Sequence, residues 1–417
     1  MDGTDDPSRM LTPPPVSAAG YAVWVPSERR ANYLSAGVIV SSAYDDNVLV
    51  GSSPSPVSDV SYSFWPTITL DRATSRLRQT FTYSSGYTIY QPTSALNETD
   101  QNASANFSYR LSPNMTVTAL DLFQKSSNVF GQPFSYSGGT IPGTPQSEVA
   151  AIIAPFAKRT TNTANAQLTY QFRMNDMVGV AGNSVVLDYP DPSQTPGLYG
   201  SNGFGGSAFY SHRLSGGKYI GALYQYARTL ISPQDSQSVT QTDAIFGFYT
   251  FYLRPNLSLS FAGGPQYFDT SLPPLAPVHS WSPAGTASLA WQEMHTTVVA
   301  TYSRTVSAGG GLLGVFDSNS ANLSVRWQFA HNWMTGVTGN YVLTTNAAPS
   351  IPIFYPGGRS ISGSPFVAYT FGSHLQLEGG YNRLHQSYNG VAILADNPDS
   401  NREYISLSYQ FNRPLGR

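Results

Sequence analysis

Apolar and polar residues alternate along the last segment of the chain, from Tyr404 to Phe411. One set of positions holds Ile405, Leu407, Tyr409 and Phe411, and the other holds Tyr404, Ser406, Ser408 and Gln410. Strict alternation over this length predicts a β-strand with two chemically different faces. Its polar face carries mostly small uncharged groups, instead of the Lys and Glu residues that a soluble sheet usually turns toward water.

The same alternation recurs upstream in segments 103–111, 164–172 and 321–329, and each segment ends in aromatic residues. Arginines occupy the polar positions near these ends, at Arg110, Arg173 and Arg326. A charge on the lipid-facing side of a membrane strand costs about 2–4 kcal/mol at the bilayer midplane. The three arginines are therefore predicted to face an aqueous interior, together with Gln376, Glu378 and Asn382 of a later strand. A ring of arginines would favour anions, whereas pairing with acidic residues across the interior would only tie the wall together.

Short turn-forming sequences connect these strands in pairs. They lie at 72–74, 112–114, 174–176, 215–217, 254–256, 293–295, 330–332 and 372–374. Most neighbouring turns are about 40 residues apart, and two long strands lie between one turn and the next. A propeller blade of similar length contains four short strands instead. The pattern predicts an all-β fold: a single transmembrane antiparallel up-and-down β-barrel of about 18 strands (16–20), with short periplasmic turns and longer extracellular loops.

Three regions follow from the pattern. Residues 1–30 include three consecutive prolines and no periodicity, which predicts a Pro-rich periplasmic segment. Residues 31–412 form the barrel, and 413–417 a C-terminal tail. Segment 244–253 is apolar on both sides, which indicates either a bulge or packing against something inside the barrel. The longest loop, 128–160, either folds into the lumen or forms an external flap.

Composition agrees with a membrane barrel. Charged residues make up 11% of the chain, against roughly a quarter in typical soluble domains, yet the mean hydropathy is −0.21. Cysteine is absent, which suits a chain that crosses an oxidising compartment unfolded. The net charge of −2 and the lack of a basic run argue against nucleic acid as a partner. The first six residues lack the features of a signal peptide, so a mature form or a mis-assigned start is expected.

Catalytic chemistry is weakly indicated. His295, His331 and His374 lie at tight turns and His212 lies close to one, where interfacial polar aromatic residues are common. His385 and Ser387 resemble the His-x-Ser pair of lipid A deacylases, a short match in a much larger barrel. Asp45, Asp46, Asp396 and Asp399 could bind Ca²⁺ on outer loops, but no ligand spacing supports a metal site. We expect no enzyme activity, no metal and no cofactor.

The terminal pattern at Tyr409 and Phe411, the hairpin period and turns such as 112–114 resemble those of porin-like outer-membrane barrels of Gram-negative bacteria such as Acidobacteria. Some of these families are linked with exopolysaccharide or exosortase systems. The resemblance implies an outer-membrane location, contact with lipopolysaccharide, and an assembly signal for the barrel assembly machinery formed by Ile405, Leu407, Tyr409 and Phe411. The family pattern ends at or near the last aromatic, whereas six residues follow Phe411 here.

Two functions fit these expectations best. The first is a passive porin-like channel for small hydrophilic solutes. The alternative is a barrel component of exopolysaccharide secretion or surface anchoring, with an occluded lumen and polysaccharide as its partner. A lipid-modifying enzyme and a soluble all-β adhesin are further alternatives. The sequence specifies neither the solute, nor whether the lumen is open, nor the oligomeric state.

Overall fold

The computed structural model describes residues 10–17, 32–49, 55–126, 158–193, 195–233, 236–309, 311–351, 354–388, 390 and 399–415. Eighteen β-strands occupy most of these ranges. Their bounds are β1 (Tyr33–Asp45), β2 (Asp59–Ala73), β3 (Leu77–Tyr90), β4 (Glu98–Ser112), β5 (Met115–Ser126), β6 (Arg159–Arg173), β7 (Asp176–Asp188), β8 (Ser201–Ser215), β9 (Lys218–Ile231), β10 (Ser238–Arg254), β11 (Leu257–Ser271), β12 (Val278–Gln292), β13 (Thr296–Gly309), β14 (Leu312–Ala330), β15 (Trp333–Asn346), β16 (Gly357–Phe371), β17 (Leu375–Tyr388) and β18 (Asp399–Pro414). Two short 3₁₀ turns lie at Pro14–Val16 and Ser94–Leu96.

Each strand pairs antiparallel with its neighbour in the chain, and β1 also pairs with β18. The closing contact runs from Tyr33 opposite Pro414 to Asp45 opposite Arg402. A sheet closed in this way has no free edge, so its backbone groups are bonded within the sheet, as a lipid environment requires. The predicted up-and-down barrel is confirmed, and its strand number is 18.

All eight short turns of the sequence pattern lie at one end of the barrel. The tightest leave two residues between strands, as at Pro113 and Asn114 between β4 and β5. Pro presets its own φ and Asn tolerates unusual backbone angles, which suits both to such turns. The barrel begins and ends at this same end, and short turns face the periplasm in bacterial barrels. We therefore take it as the periplasmic end. Arg413, expected in the tail, belongs to β18 and pairs with Leu34.

The outer surface is apolar at alternating positions. On β18 the outward residues Ile405, Leu407, Tyr409 and Phe411 are 43–54% exposed. A row of ring contacts crosses β14 to β16 next to the tight turns and is formed by Trp327, Phe329, Trp333, Tyr369 and Phe371. This arrangement is typical of the aromatic girdle of a membrane barrel. Within the described ranges, no helix is long and apolar enough to cross a membrane.

Glycines on the inner face make room for aromatic rings of neighbouring strands. A Cβ atom on Gly221 would lie 2.4 Å from the Phe248 ring, and one on Gly179 would lie 2.2 Å from Phe209. The same relation joins Gly86 to Trp65, Gly336 to Phe366, and Gly380 to Tyr404. Because glycine has no side chain, these rings can lie against the wall instead of pointing toward the barrel axis. The lumen is therefore wider than its aromatic content alone would allow.

Candidate functional site: the barrel lumen

Gln376, Glu378 and Asn382 alternate along the inner face of β17. Glu378 pairs in register with Ser406 of β18, while Leu377 pairs with Leu407 on the outer surface. The period of two therefore turns all three polar side chains toward the lumen. Their role in lining a passage remains a prediction.

A group of ionisable side chains lies on this wall, with Glu378 and Arg326 in the periplasmic halves of β17 and β14. The hydroxyl of Tyr404 donates a hydrogen bond of 2.8 Å to Glu378 Oε1, and Arg326 interacts electrostatically with the same carboxylate. Arg326 lies on β14, three strands away, so the interaction reaches past the two intervening strands. We name Arg326, Glu378 and Tyr404 the periplasmic charge group. For Arg326, this arrangement favours the alternative in which an inward arginine pairs with an acidic residue across the lumen wall.

The structure does not bring Arg110 and Arg173 into this group. Arg110 is half-buried on β4, two residues before the strand ends. The guanidinium of Arg173 lies 5.9 Å above the ring of Phe172, which is exposed on the outer face. Arg173 also interacts electrostatically with Asp176 and Tyr210 at the same rim. Because it is the last residue of β6, its side chain lies at the rim beside outer-face residues and apart from Arg326. Of the two alternatives, this placement does not favour a ring of three arginines, and the lining role of Arg110 stays a prediction.

A second charged pair, which the sequence pattern did not reveal, lies at the extracellular end of this wall. Asp45 and Arg402 are register partners of β1 and β18, and both are buried. Ser400 donates a hydrogen bond of 2.9 Å to Asp45, and Asp46 accepts two of 2.7 Å from Asn401. These two candidate calcium ligands are thus engaged by groups of the chain itself. The described ranges contain no cluster of three or more His, Asp or Glu residues able to hold a metal.

The extracellular part of the β13–β14 hairpin leaves the barrel wall. β12 and β13 stop pairing beyond Gly285 and Arg304, whereas β13 and β14 stay paired almost to their tip. The side chain of Gln266, on the inner face of β11, donates to the carbonyl oxygen of Val306 at 2.9 Å and accepts from its N–H at 2.8 Å. Since β12 separates β11 from β13 in the wall, the hairpin must pass inside the barrel to make this contact. We name the described residues of 306–316 the inturned hairpin.

The inturned hairpin buries apolar side chains inside the extracellular end of the barrel. Leu312 and Phe316 are each 1% exposed, and Val315 is fully buried. They belong to two apolar clusters with residues from strands around the barrel: Leu187, Ile231, Phe268, Val342 and Tyr388. The sequence contains a sign of this packing. Residues 312, 313, 315 and 316 are apolar on both alternating sets of positions, whereas the other outer loops are polar.

Loop residues hydrogen-bond to the tip of the inturned hairpin. Tyr199 donates its N–H to the carbonyl oxygen of Gly311 at 2.8 Å, and Tyr355 donates its N–H to that of Leu313 at 3.2 Å. Burial raises the pKa of the Tyr189 and Tyr355 phenols above its ordinary value. Both phenols therefore stay neutral near pH 7 and add no charge to the mouth.

Residues 10–17 of the N-terminal segment lie inside the barrel. Met10 and Val16 are 4% and 2% exposed. They form one apolar cluster with inner-face residues of β7 to β12, namely Met177, Phe209, Tyr219, Leu223, Ala244, Phe246, Phe248 and Ala284. The two-sided apolar stretch 244–253 is thereby explained, because Phe246 and Phe248 pack against the chain's own N-terminal residues. A register shift also occurs at its end, between Tyr252 and Arg254.

Other predicted features are placed only in part. The rest of segment 1–30 and nearly all of loop 128–160 lie outside the described residues, so the inward-folding loop stays a prediction. His385 Nδ1 lies 3.0 Å from Asp399 Oδ1, while its Nε2 is buried without a hydrogen-bond partner. Ser387 therefore does not complete a hydrogen-bonded His–Ser pair in this structure.

Comparisons with known proteins give likenesses to outer-membrane barrels. No protein-family model and no curated protein matches the sequence. Among solved structures, the chain is similar to Pseudomonas aeruginosa OpdK with vanillate (TM-score 0.40, 10% identity, 91% of this chain and 99% of that chain). It is also similar to OccK2 (OpdF) of the same organism (TM-score 0.43, 9% identity, 92% and 100%) and to Acinetobacter baumannii OccAB2 (TM-score 0.41, 10% identity, 91% and 98%). At about one shared residue in ten, no solute and no residue role is transferred from these proteins.

Proposed function

We propose that the chain is a passive outer-membrane channel for small hydrophilic solutes. The observation that carries this proposal is the closed barrel with an apolar outer face and a polar sector of inner wall. That sector runs from β14 through β18 and β1 to β6 and carries hydroxyl, amide and charged groups. A wall of this kind can replace part of the hydration shell of a solute that crosses the bilayer.

The polar sector favours neutral or weakly charged solutes. Two pairs of opposite charge lie on it, Glu378 with Arg326 and Asp45 with Arg402. Between them the wall presents hydroxyls that bond one another, such as Ser63 with Thr88 at 2.9 Å. A passing ion meets charges of both signs, so a strong preference for anions or cations is not expected.

The location and partners belong to the same proposal. An apolar outer belt with an aromatic row supports a Gram-negative outer membrane and contact with lipopolysaccharide. The outward residues Ile405, Leu407, Tyr409 and Phe411 would serve as the signal for the barrel assembly machinery. A link with exopolysaccharide systems rests on sequence resemblance alone.

One observation favours the alternative of a barrel with an occluded lumen in polysaccharide secretion or surface anchoring. The inturned hairpin packs inside the extracellular end of the barrel, and residues 10–17 occupy part of the lumen. A barrel that stays closed in this way would not conduct solutes and would instead hold or accompany another component of the cell surface.

Liposome swelling separates the two functions. Refolded protein is inserted into liposomes, which are then diluted into isotonic solutions of uncharged sugars and amino acids of increasing size. The channel predicts swelling rates that fall with solute size and exceed those of protein-free liposomes. Swelling equal to that of protein-free liposomes, with the barrel shown to be folded, would support the occluded alternative.

A further inference from the structure

The N-terminal residues are held in the lumen by specific contacts as well as by burial. The N–H of Met10 donates to Gln171 Oε1 at 3.0 Å, and that of Leu11 donates to the Tyr219 hydroxyl at 3.4 Å. Further along, Gln167 Nε2 donates to the carbonyl oxygen of Val16 at 2.5 Å. Groups from β6 and β9 thus hold both ends of the segment.

The composition of the segment suits an apolar site. Pro13, Pro14 and Pro15 carry no N–H group, so three consecutive residues bring no donor that needs a partner. Val16 and Ser17 donate within the segment, to the carbonyl oxygens of Pro13 at 3.0 Å and Pro14 at 3.3 Å. The fixed φ of proline also reduces the entropy that is lost when the segment becomes ordered.

The wall is shaped to receive this segment. Phe209 and Phe248 lie against Gly179 and Gly221. Both rings belong to the apolar floor, which is the cluster of inner-face residues on β7 to β12 that also contains Met10 and Val16. A side chain at either glycine would push the ring toward the axis, into the space that residues 10–17 occupy. The apolar floor lies on β7 to β12, away from the polar sector of the wall.

We infer that residues 10–17 are a tethered ligand of the lumen wall that narrows the periplasmic half of the passage. Its site accepts a short, donor-poor segment that contains a 3₁₀ turn and has apolar side chains near both ends. Its occupant is this chain's own segment. The narrowing role rests on the proposed channel function, whereas the docking itself does not.

Docking is tested first, without any measurement of transport. The chain has no cysteine, so a pair of introduced cysteines reports on one contact. Thr12 Oγ1 lies 3.9 Å from Met177 Sδ, and the variant Thr12→Cys/Met177→Cys is expected to cross-link with a short bis-maleimide in the folded barrel. The matched control, Thr12→Cys/Ser362→Cys, places the second cysteine on β16, nine strands away, and is not expected to cross-link. Equal cross-linking of both pairs, or of neither, would overturn the docking.

Narrowing is tested by conductance of the full-length barrel in planar bilayers. Replacing residues 10–17 by a Gly-Ser sequence of equal length is expected to raise conductance about twofold or more, since conductance follows the open cross-section of the lumen. Val16→Asp should act in the same direction, and Glu403→Gln, at an exposed position on the outer face of β18, should leave conductance unchanged. If the replacement variant folds and conducts, but with the same conductance as the unchanged protein, the narrowing role is overturned. If no folded form of the protein conducts current, the proposed channel function is contradicted. The cross-linking result still decides whether residues 10–17 dock in the lumen.

Discussion

Removing the carboxylate of Glu378 should make the channel more selective for anions. Glu378→Gln keeps the shape of the side chain and an oxygen that can accept the hydrogen bond from Tyr404, now 2.8 Å long. The change leaves Arg326 without the acidic partner that it has in the periplasmic charge group. The local charge on this part of the wall therefore becomes more positive by one unit.

The size of the effect follows from Coulomb's law. A monovalent ion that passes about 6 Å from the carboxylate in a water-filled lumen interacts with it by about 0.7 kcal/mol. The substitution removes an attraction for cations and an equal repulsion for anions. The ratio of anion to cation permeability should therefore rise about tenfold in dilute salt, and about fourfold near 0.1 M salt, where the Debye length is about 10 Å.

The assay is the reversal potential across a planar bilayer under a salt gradient, measured at two ionic strengths. Arg326→Gln should shift the potential in the opposite direction. Glu403→Gln makes the same chemical change at an exposed outer-face position of β18 and serves as the matched control, with no shift expected. If both lumen variants conduct and neither moves the reversal potential, ions do not pass this group.

The remaining predictions concern assembly, lumen width and the mouth. Leu407→Arg places a charge on the lipid-facing side of β18 at a cost of up to about 2–4 kcal/mol and should abolish the folded, heat-modifiable band on gels. Inward Ser408→Arg should retain the band, and equal folded levels of both variants would contradict the assignment of faces. Gly221→Val should lower conductance, because its Cβ would lie 2.4 Å from the Phe248 ring; unchanged conductance would mean that the ring finds room elsewhere. Phe316→Ala should destabilise the packed position of the inturned hairpin by about 3–5 kcal/mol and lengthen channel openings. Open times like those of the unchanged protein would show that this hairpin does not gate the channel.

The barrel could be predicted from the sequence because lipid imposes a pattern on every strand. Each strand must turn apolar residues outward, as Leu407 and Phe411 do, and the period of two makes this visible without any knowledge of contacts. Turn residues such as Pro113 and Asn114 mark where strands reverse, which gave the strand number. The inner-face positions of Arg326 and Glu378 follow from the same alternation.

Features that depart from the period were not predictable in the same way. The inturned hairpin and residues 10–17 contact strands far away in the sequence, and alternation carries no information about such contacts. Both features left an excess of apolar residues at positions where an aqueous lumen or an outer loop would be polar. Examples are Phe246 and Phe248, which face inward, and Leu312, which follows a run of three glycines. Arg173 obeyed the alternation in sequence, but it ends its strand, so its side chain could reach the outer rim.

Single-channel recording of the refolded, full-length protein in a planar lipid bilayer tests the central claim most directly. The channel predicts stable, discrete current steps from protein that also shows the heat-modifiable mobility of a folded barrel. Persistent silence from protein shown to be folded and inserted would contradict it, and would mean that the inturned hairpin and the N-terminal residues keep the lumen closed.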